Sequence, residues 1–323
     1  MKQDRRQERL GGKVEHVDFS PPRAEQVQAL LSQYRLRSGR GLFGGWRRWP
    51  MFVLLGLLFA LVFTQNFLVM VLPWLAVGGL VGFMMLRVKQ QKVLEARANR
   101  LQELLLMREH KQVLREVWLL IPELSQQPSL HVRMVNALAH ALIELKCYEA
   151  GVAAMGYLIE VVPNGHPHAV QIKINRAIAW LMMDHLSDAD DALRGMRGLE
   201  DEQKQNTIAA SYGFASLLQA VKTFHWEDGV EAGPTGQSQQ WIDRLRPLGI
   251  EAGYGYGLIA FCHLKYGERM VQQDATGGAE GARLHGVAAD RWWARATCLL
   301  RPDYLLHKFP ELTEVAQRQG VRA

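Results

Sequence analysis

The 38 residues from Trp49 to Leu86 contain no charged side chain. One membrane-spanning helix needs about 20 apolar residues, and helices buried in water-soluble domains seldom run so far without a charge. The run therefore predicts two helices that form a hairpin through a lipid bilayer. Thr64, Gln65 and Asn66 interrupt it and predict the turn, leaving Trp49 to Phe63 and Phe67 to Leu86 as the legs. The short first leg draws on Arg47 and Arg48, whose long side chains can reach the headgroups. A second place for the turn is Leu72-Pro73-Trp74, where Pro73 fits the first turn of a helix. A cleaved leader fits less well, because its apolar region would be about 7 to 15 residues long and close to the N-terminus.

Charge sets the expected orientation. Arg35, Arg37, Arg40, Arg47 and Arg48 precede the run, and Arg87, Lys89 and Lys92 follow it, with no Asp or Glu between Glu25 and Glu95. Cytoplasmic flanks of membrane helices are enriched in Lys and Arg, so both flanks are expected in the cytoplasm and the number of crossings is even. Residues 1–48 hold 11 Lys or Arg against 5 Asp or Glu, whereas the chain from Arg87 onward holds 27 of each. The net charge of +6 thus belongs to the membrane-proximal arm. A nucleic-acid-binding domain would carry its positive charge on the folded part. Attraction to a lipid surface accounts for the excess instead, and no nucleic-acid partner is expected.

Within that arm, Ser20 suits a helix N-cap and Pro21 and Pro22 the first helical positions. Val27, Leu30, Leu31 and Tyr34 follow at helical spacing, which predicts a short amphipathic helix over Pro21 to Tyr34. It could lie on the membrane face or pack against the domain that follows. Met1 to Phe19 is polar and mixed in charge, which predicts a tail. Gly39, Gly41, Gly44 and Gly45 predict a linker.

From Arg87 to Ala323 apolar residues recur at three and four positions and no strand-like alternation occurs, so an all-α fold is expected. A spacing of 38 residues brings three segments into register. Leu101, Leu104, Val113, Val117 and Leu120 stand one period before Ala139, Leu142, Gly151, Met155 and Leu158. These in turn precede Ala177, Trp180, Ala189, Leu193 and Met196. Small or apolar residues at such points let two antiparallel helices approach closely and stack on the next pair. With Ala139 and Gly151, Ala177 and Ala189, and Pro163 closing a unit, the pattern resembles the tetratricopeptide repeat family. That family's unit is about 34 residues; here the spacing is longer and the first copy has Leu101 and Val113 in place of small residues. The resemblance covers Val93 to Leu199 and implies an α-solenoid that binds partners in its concave groove. It also implies that Arg133, Asn136, His140 and Glu144, along one first helix, contact the partner.

The expected organisation is a basic cytoplasmic arm over 1–48, a hairpin over 49–86, tetratricopeptide-like repeats over 87–205 and degenerate or capping helices over 206–323. In the last region Asn206 to Val221 reads as another first helix, and Gly- and acid-rich Trp226 to Gly236 stands where its partner helix should be. Further helices are expected over Gln237 to Leu245, Ala252 to Tyr266 and Val287 to Leu300. A loop is expected over Gln272 to Ala282.

Several residues could carry chemistry. Gly253, Gly255 and Gly257 lack the strand and the Lys-Ser or Lys-Thr pair of a phosphate loop, and tight helix packing explains them better. His166 and His168 flank Pro167 without further metal ligands in view. Cys262 and His263 are helix neighbours that point apart, and Cys147, Cys262 and Cys298 read as reduced thiols. Trp292 and Trp293, followed by Arg295, read as core before binding patch. No catalytic residue, cofactor or metal is expected.

The expected function is that of a membrane-anchored adaptor or scaffold, seated in a bacterial inner membrane by two spans with both termini cytoplasmic. Its partners would be the lipid bilayer and a protein not identified by sequence. One alternative is a membrane-bound enzyme or processing factor with its site around Cys262, His263 and His285. Another is a subunit of a membrane complex whose hairpin packs through Gly78, Gly79 and Gly82.

Overall fold

A computed structural model describes residues 20–36, 67–124, 127–163, 167–196, 207–230, 238–273 and 278–321. Every regular element among them is helical. The helices are α1 (Ala24–Gln33), α2 (Phe67–Leu106), α3 (His110–Leu124), α4 (Pro128–Glu144), α5 (Tyr148–Val161), α6 (Pro167–Met182) and α7 (Leu186–Arg194). They continue with α8 (Thr207–Lys222), α9 (Glu227–Val230), α10 (Ser238–Leu245), α11 (Ala252–Gln273), α12 (Gly278–Leu299), α13 (Pro302–Lys308) and α14 (Thr313–Arg318). Two compact units divide within α5, after Tyr157.

The 38-residue period is written into the backbone. Each of four helix pairs turns on one residue in the left-handed region: Arg108, Lys146, Asp184 and Phe224, at φ 61°, 62°, 58° and 61°. At each turn the next N–H reaches five residues back, as Glu109 to the Leu104 carbonyl at 3.0 Å and Cys147 to Leu142 at 2.8 Å. His185 and His225 repeat it onto Trp180 and Ala220, both at 2.9 Å. This closure satisfies helix carbonyls that would otherwise be orphaned. Successive turns lie 38, 38 and 40 residues apart, as the four positions show.

In the first unit α2, α3 and α4 pack on one another around Leu101, Val113, Val117, Ile121, Met134 and Leu138, all buried. Small residues do at α4 and α5 what their spacing predicted. A Cβ on Gly151 would stand 2.9 Å from Ile143 Cγ1 and 3.5 Å from the Ala139 carbonyl oxygen. The arm helix α1 belongs to this unit, with Val27 and Leu31 buried. Its cap is Arg23 in place of the expected Ser20, the Arg23 N–H donating to Gln26 Oε1 at 2.9 Å. Just beyond it, the Leu36 N–H donates to the Tyr157 hydroxyl at 3.1 Å.

The leg Trp49 to Phe63 and the triplet Thr64 to Asn66 lie outside the described residues, as do Met1 to Phe19 and the glycine linker. Phe67 to Leu86 forms the first half of the 40-residue helix α2. That helix contains Pro73 in its interior rather than at its start. No helix is long and apolar enough to cross a membrane among the described residues.

In the second unit α6 and α7 pair, α8 packs on both, and α11 and α12 form a long antiparallel hairpin. Ala177 and Ala189 are both fully buried in its core. Residues 252–264 of α11 are buried without interruption, so this helix is central to the unit. Its glycines admit neighbours: a Cβ on Gly255 would lie 2.6 Å from Leu245 Cδ1, and one on Gly257 2.9 Å from Leu312 Cδ1. The loop expected over Gln272 to Ala282 is shorter, since α11 reaches Gln273 and α12 starts at Gly278. Here glycine serves close approach rather than a turn. A Cβ on Gly281 would stand 2.7 Å from Met270 Cε.

Candidate functional site

The residues expected to meet a partner share one face of α4, and the first unit already uses part of it. The Arg133 guanidinium donates to Asn99 Oδ1 at 3.0 Å and to Gln102 Oε1, both on α2. His140 packs against His110 of α3, with ring centroids 6.1 Å apart. Asn136 is exposed and Glu144 half-buried. Helical spacing placed the four on one stripe, but not which neighbouring helix would meet it.

A larger recess was missed. A groove of about 870 Å³ runs between α7, α8 and α10. Its floor is the polar stripe Tyr212, Ser216, Gln219 and Thr223, spaced so that all four face one side of α8. From α7, Asp190 pairs with Arg194 and accepts from Gln219 Nε2 at 3.0 Å. From α10, Arg244 lies over the Trp241 ring at 4.9 Å. Gly213 makes room for it, since a Cβ there would stand 2.7 Å from Arg244 Nε.

The polar stripe on α8, an otherwise small and apolar helix, is the sequence signal that marked the groove. Mixed charge, two aromatic rings and several amide and hydroxyl groups suit hydrogen bonding to a peptide segment.

The cluster of the enzymatic alternative has the geometry of a core clasp. Cys262 is fully buried with Sγ against α9, where a Cβ on Gly229 would come within 2.6 Å of it. Burial pushes its thiol pKa well up, away from the nucleophilic thiolate. His263 turns instead to α12, its Nδ1 3.0 Å from His285 Nδ1, so one ring donates and the other accepts. Burial, and then the neighbouring His285, lower His263 to about 4; burial also lowers His285. Elsewhere, Trp292 and Trp293 are core residues at 4% and 3% exposure, with Arg295 over the Trp292 ring at 5.3 Å.

His166 lies outside the described residues, and His168 is exposed. No group of three or more His, Cys, Asp or Glu able to hold a metal occurs among the described residues. Around Gly78, Gly79 and Gly82 nothing stands within 4 Å of an added Cβ. No family model, curated protein or solved structure matches this chain.

Proposed function

We propose that this chain is a membrane-anchored adaptor: a hairpin over 49–86 holds a tetratricopeptide-like helical array at the cytoplasmic face of a bacterial inner membrane. There the α7–α8–α10 groove captures a segment of a partner protein. The supporting observation is the hydrogen bond from Leu36 to Tyr157. It ties the chain before the uncharged run to the same unit that contains the buried Ala98 and Leu101 after it. A run that leaves and re-enters one folded unit crosses a bilayer an even number of times. The exposure of Phe83, Met84, Met85 and Leu86, four consecutive residues at 51% to 63%, supports lipid as the surrounding medium. Successive helix residues point in different directions, so exposed apolar side chains occur on more than one side of α2 there.

Anchoring raises the local concentration of whatever the groove holds and requires no chemistry of the chain itself. The test uses the full chain in a bacterial membrane. It should stay in the pellet after alkaline carbonate extraction, with tags at Met1 and Ala323 both shielded from protease added outside the cell. Release to the supernatant, or tags on opposite faces, overturns the anchor. For the groove, a photocrosslinking residue at Ser216 should give a discrete protein adduct, and one at exposed Arg291 should not. Equal labelling from both positions overturns the assignment.

A further inference from the structure

We infer that the cleft between α2 and the α3–α4 junction is a binding site for one anionic phospholipid. The cleft has a volume of about 540 Å³ and begins at Leu86, the last residue of the uncharged run. Leu86 and Val93 line it and are 62% and 53% exposed, so it offers accessible apolar surface. Lys89 and Gln90 lie in the next turn, with Gln127 across the cleft. Farther from the run, Arg97 and Glu123 face each other at 3.4 Å and neutralise one another. Lys89 has no carboxylate partner among the described residues, so the cleft carries one uncompensated positive charge.

That order of groups along α2, apolar and then cationic with amides beside it, is the order of groups in a phospholipid. An acyl chain lies along Leu86 and Val93, and the phosphodiester meets Lys89, Gln90 and Gln127. The inference rests on the anchor reading, which puts Lys89 roughly 5 Å beyond the hydrocarbon boundary, at headgroup depth. Charge selects the lipid, since a headgroup with net charge −1 matches Lys89 and a zwitterionic one brings a cation beside it. Exposed Leu86 and Val93 favour a lipid over a soluble phosphate, which would leave them in water.

Lys92 supplies the control, because it is exposed on the same helix and does not line the cleft. The full chain in mild detergent is titrated with phosphatidylglycerol, phosphatidylcholine or glycerol 1-phosphate, and bound species are counted by native mass spectrometry. Wild type should retain phosphatidylglycerol in preference to phosphatidylcholine, and glycerol 1-phosphate should not displace it. Lys89→Gln should lower occupancy about fivefold and Lys92→Gln by less than about twofold. Equal losses from the two variants would indicate a diffuse basic surface and overturn the site. Equal retention of the two lipids, or displacement by glycerol 1-phosphate, overturns it as well. A chain that needs no detergent to stay in solution sinks the anchor along with the site, which separates that failure from the others.

Discussion

The two halves of α2 share one helix and differ in what surrounds them. Before Arg87 the helix is apolar on all sides, and Val81 to Leu86 are exposed wherever their side chains are described. After Arg87 it is amphipathic. Ala98 and Leu101 are buried at 1% and 0%, while Arg100 and Glu103 are exposed. Hydrophobicity alone would have ranked the first half as the better core. Periodicity separates them, because a protein core covers one stripe of a helix and the first half has no such stripe; that is the pattern the proposed anchor requires.

Truncation breaks this comparison most sharply. Leu101→Ala removes a fully buried side chain from the α2–α3–α4 core and should cost about 2–5 kcal/mol. Met84→Ala, at an exposed position in the other half, should change the stability of the folded domain, read from its urea midpoint, by less than about 0.5 kcal/mol. Similar losses from both would mean that the first half also packs on protein. Charge insertion reverses the ranking. Val77→Arg lies near the middle of Phe67 to Leu86 and should oppose membrane insertion by about 2.5–3.5 kcal/mol, moving the chain toward the supernatant. Glu103→Arg should leave the pelleted fraction unchanged.

Acid separates the halves by a smaller amount. The first half holds no titrating group, whereas the unit that clasps the second depends on His131. This ring is buried, its Nε2 3.0 Å from the Tyr157 hydroxyl, and burial lowers its pKa from 6.5 to about 4. Between those values the unfolded chain binds the proton and the folded chain does not. The stabilisation is therefore complete above about pH 6.5 and declines as pH falls toward 4. At pH 5.5 the loss should be about 1.4 kcal/mol for His131, and similar for His263 in the second unit, whose pKa is also lowered to about 4. Urea midpoints at pH 7.5 and 5.5 measure it, and His131→Asn should flatten the first unit's share. Membrane association should not change over the same range.

How much of this was readable before the structure depended on whether side chains or backbone carried the signal. The repeat columns were readable because Leu101, Ala139 and Ala177, and Val113, Gly151 and Ala189, are all buried where the spacing put them. The turns between paired helices were not. Their left-handed residues are Arg108, Lys146, Asp184 and Phe224, and glycine, the usual marker of such a turn, is absent from all four. Glycine misled in the other direction at Gly278 and Gly281, where it relieves crowding between α11 and α12. The partner stripe was half readable, since Arg133 sits on the expected face and is held by Asn99 and Gln102. The α7–α8–α10 groove was not readable, because its lining comes from separate helices whose packing no local pattern records.

The smallest effect is expected at those turns, and it sharpens the contrast between periodic and uniform sequence. A side chain with a Cβ in the left-handed region costs about 1–2 kcal/mol, and glycine avoids this while giving up about 0.5–1 kcal/mol of chain entropy. Lys146 is the cleanest position, being exposed at the α4–α5 turn, and Lys146→Gly should raise stability by up to about 1 kcal/mol. Phe224→Gly should gain less, because Phe224 meets Trp226 edge to face at 5.9 Å and would lose that contact. If Lys146→Gly instead destabilised the fold, the lysine would have to hold the turn by a contact of its own. The backbone closure onto Leu142 would then not be what ends α4.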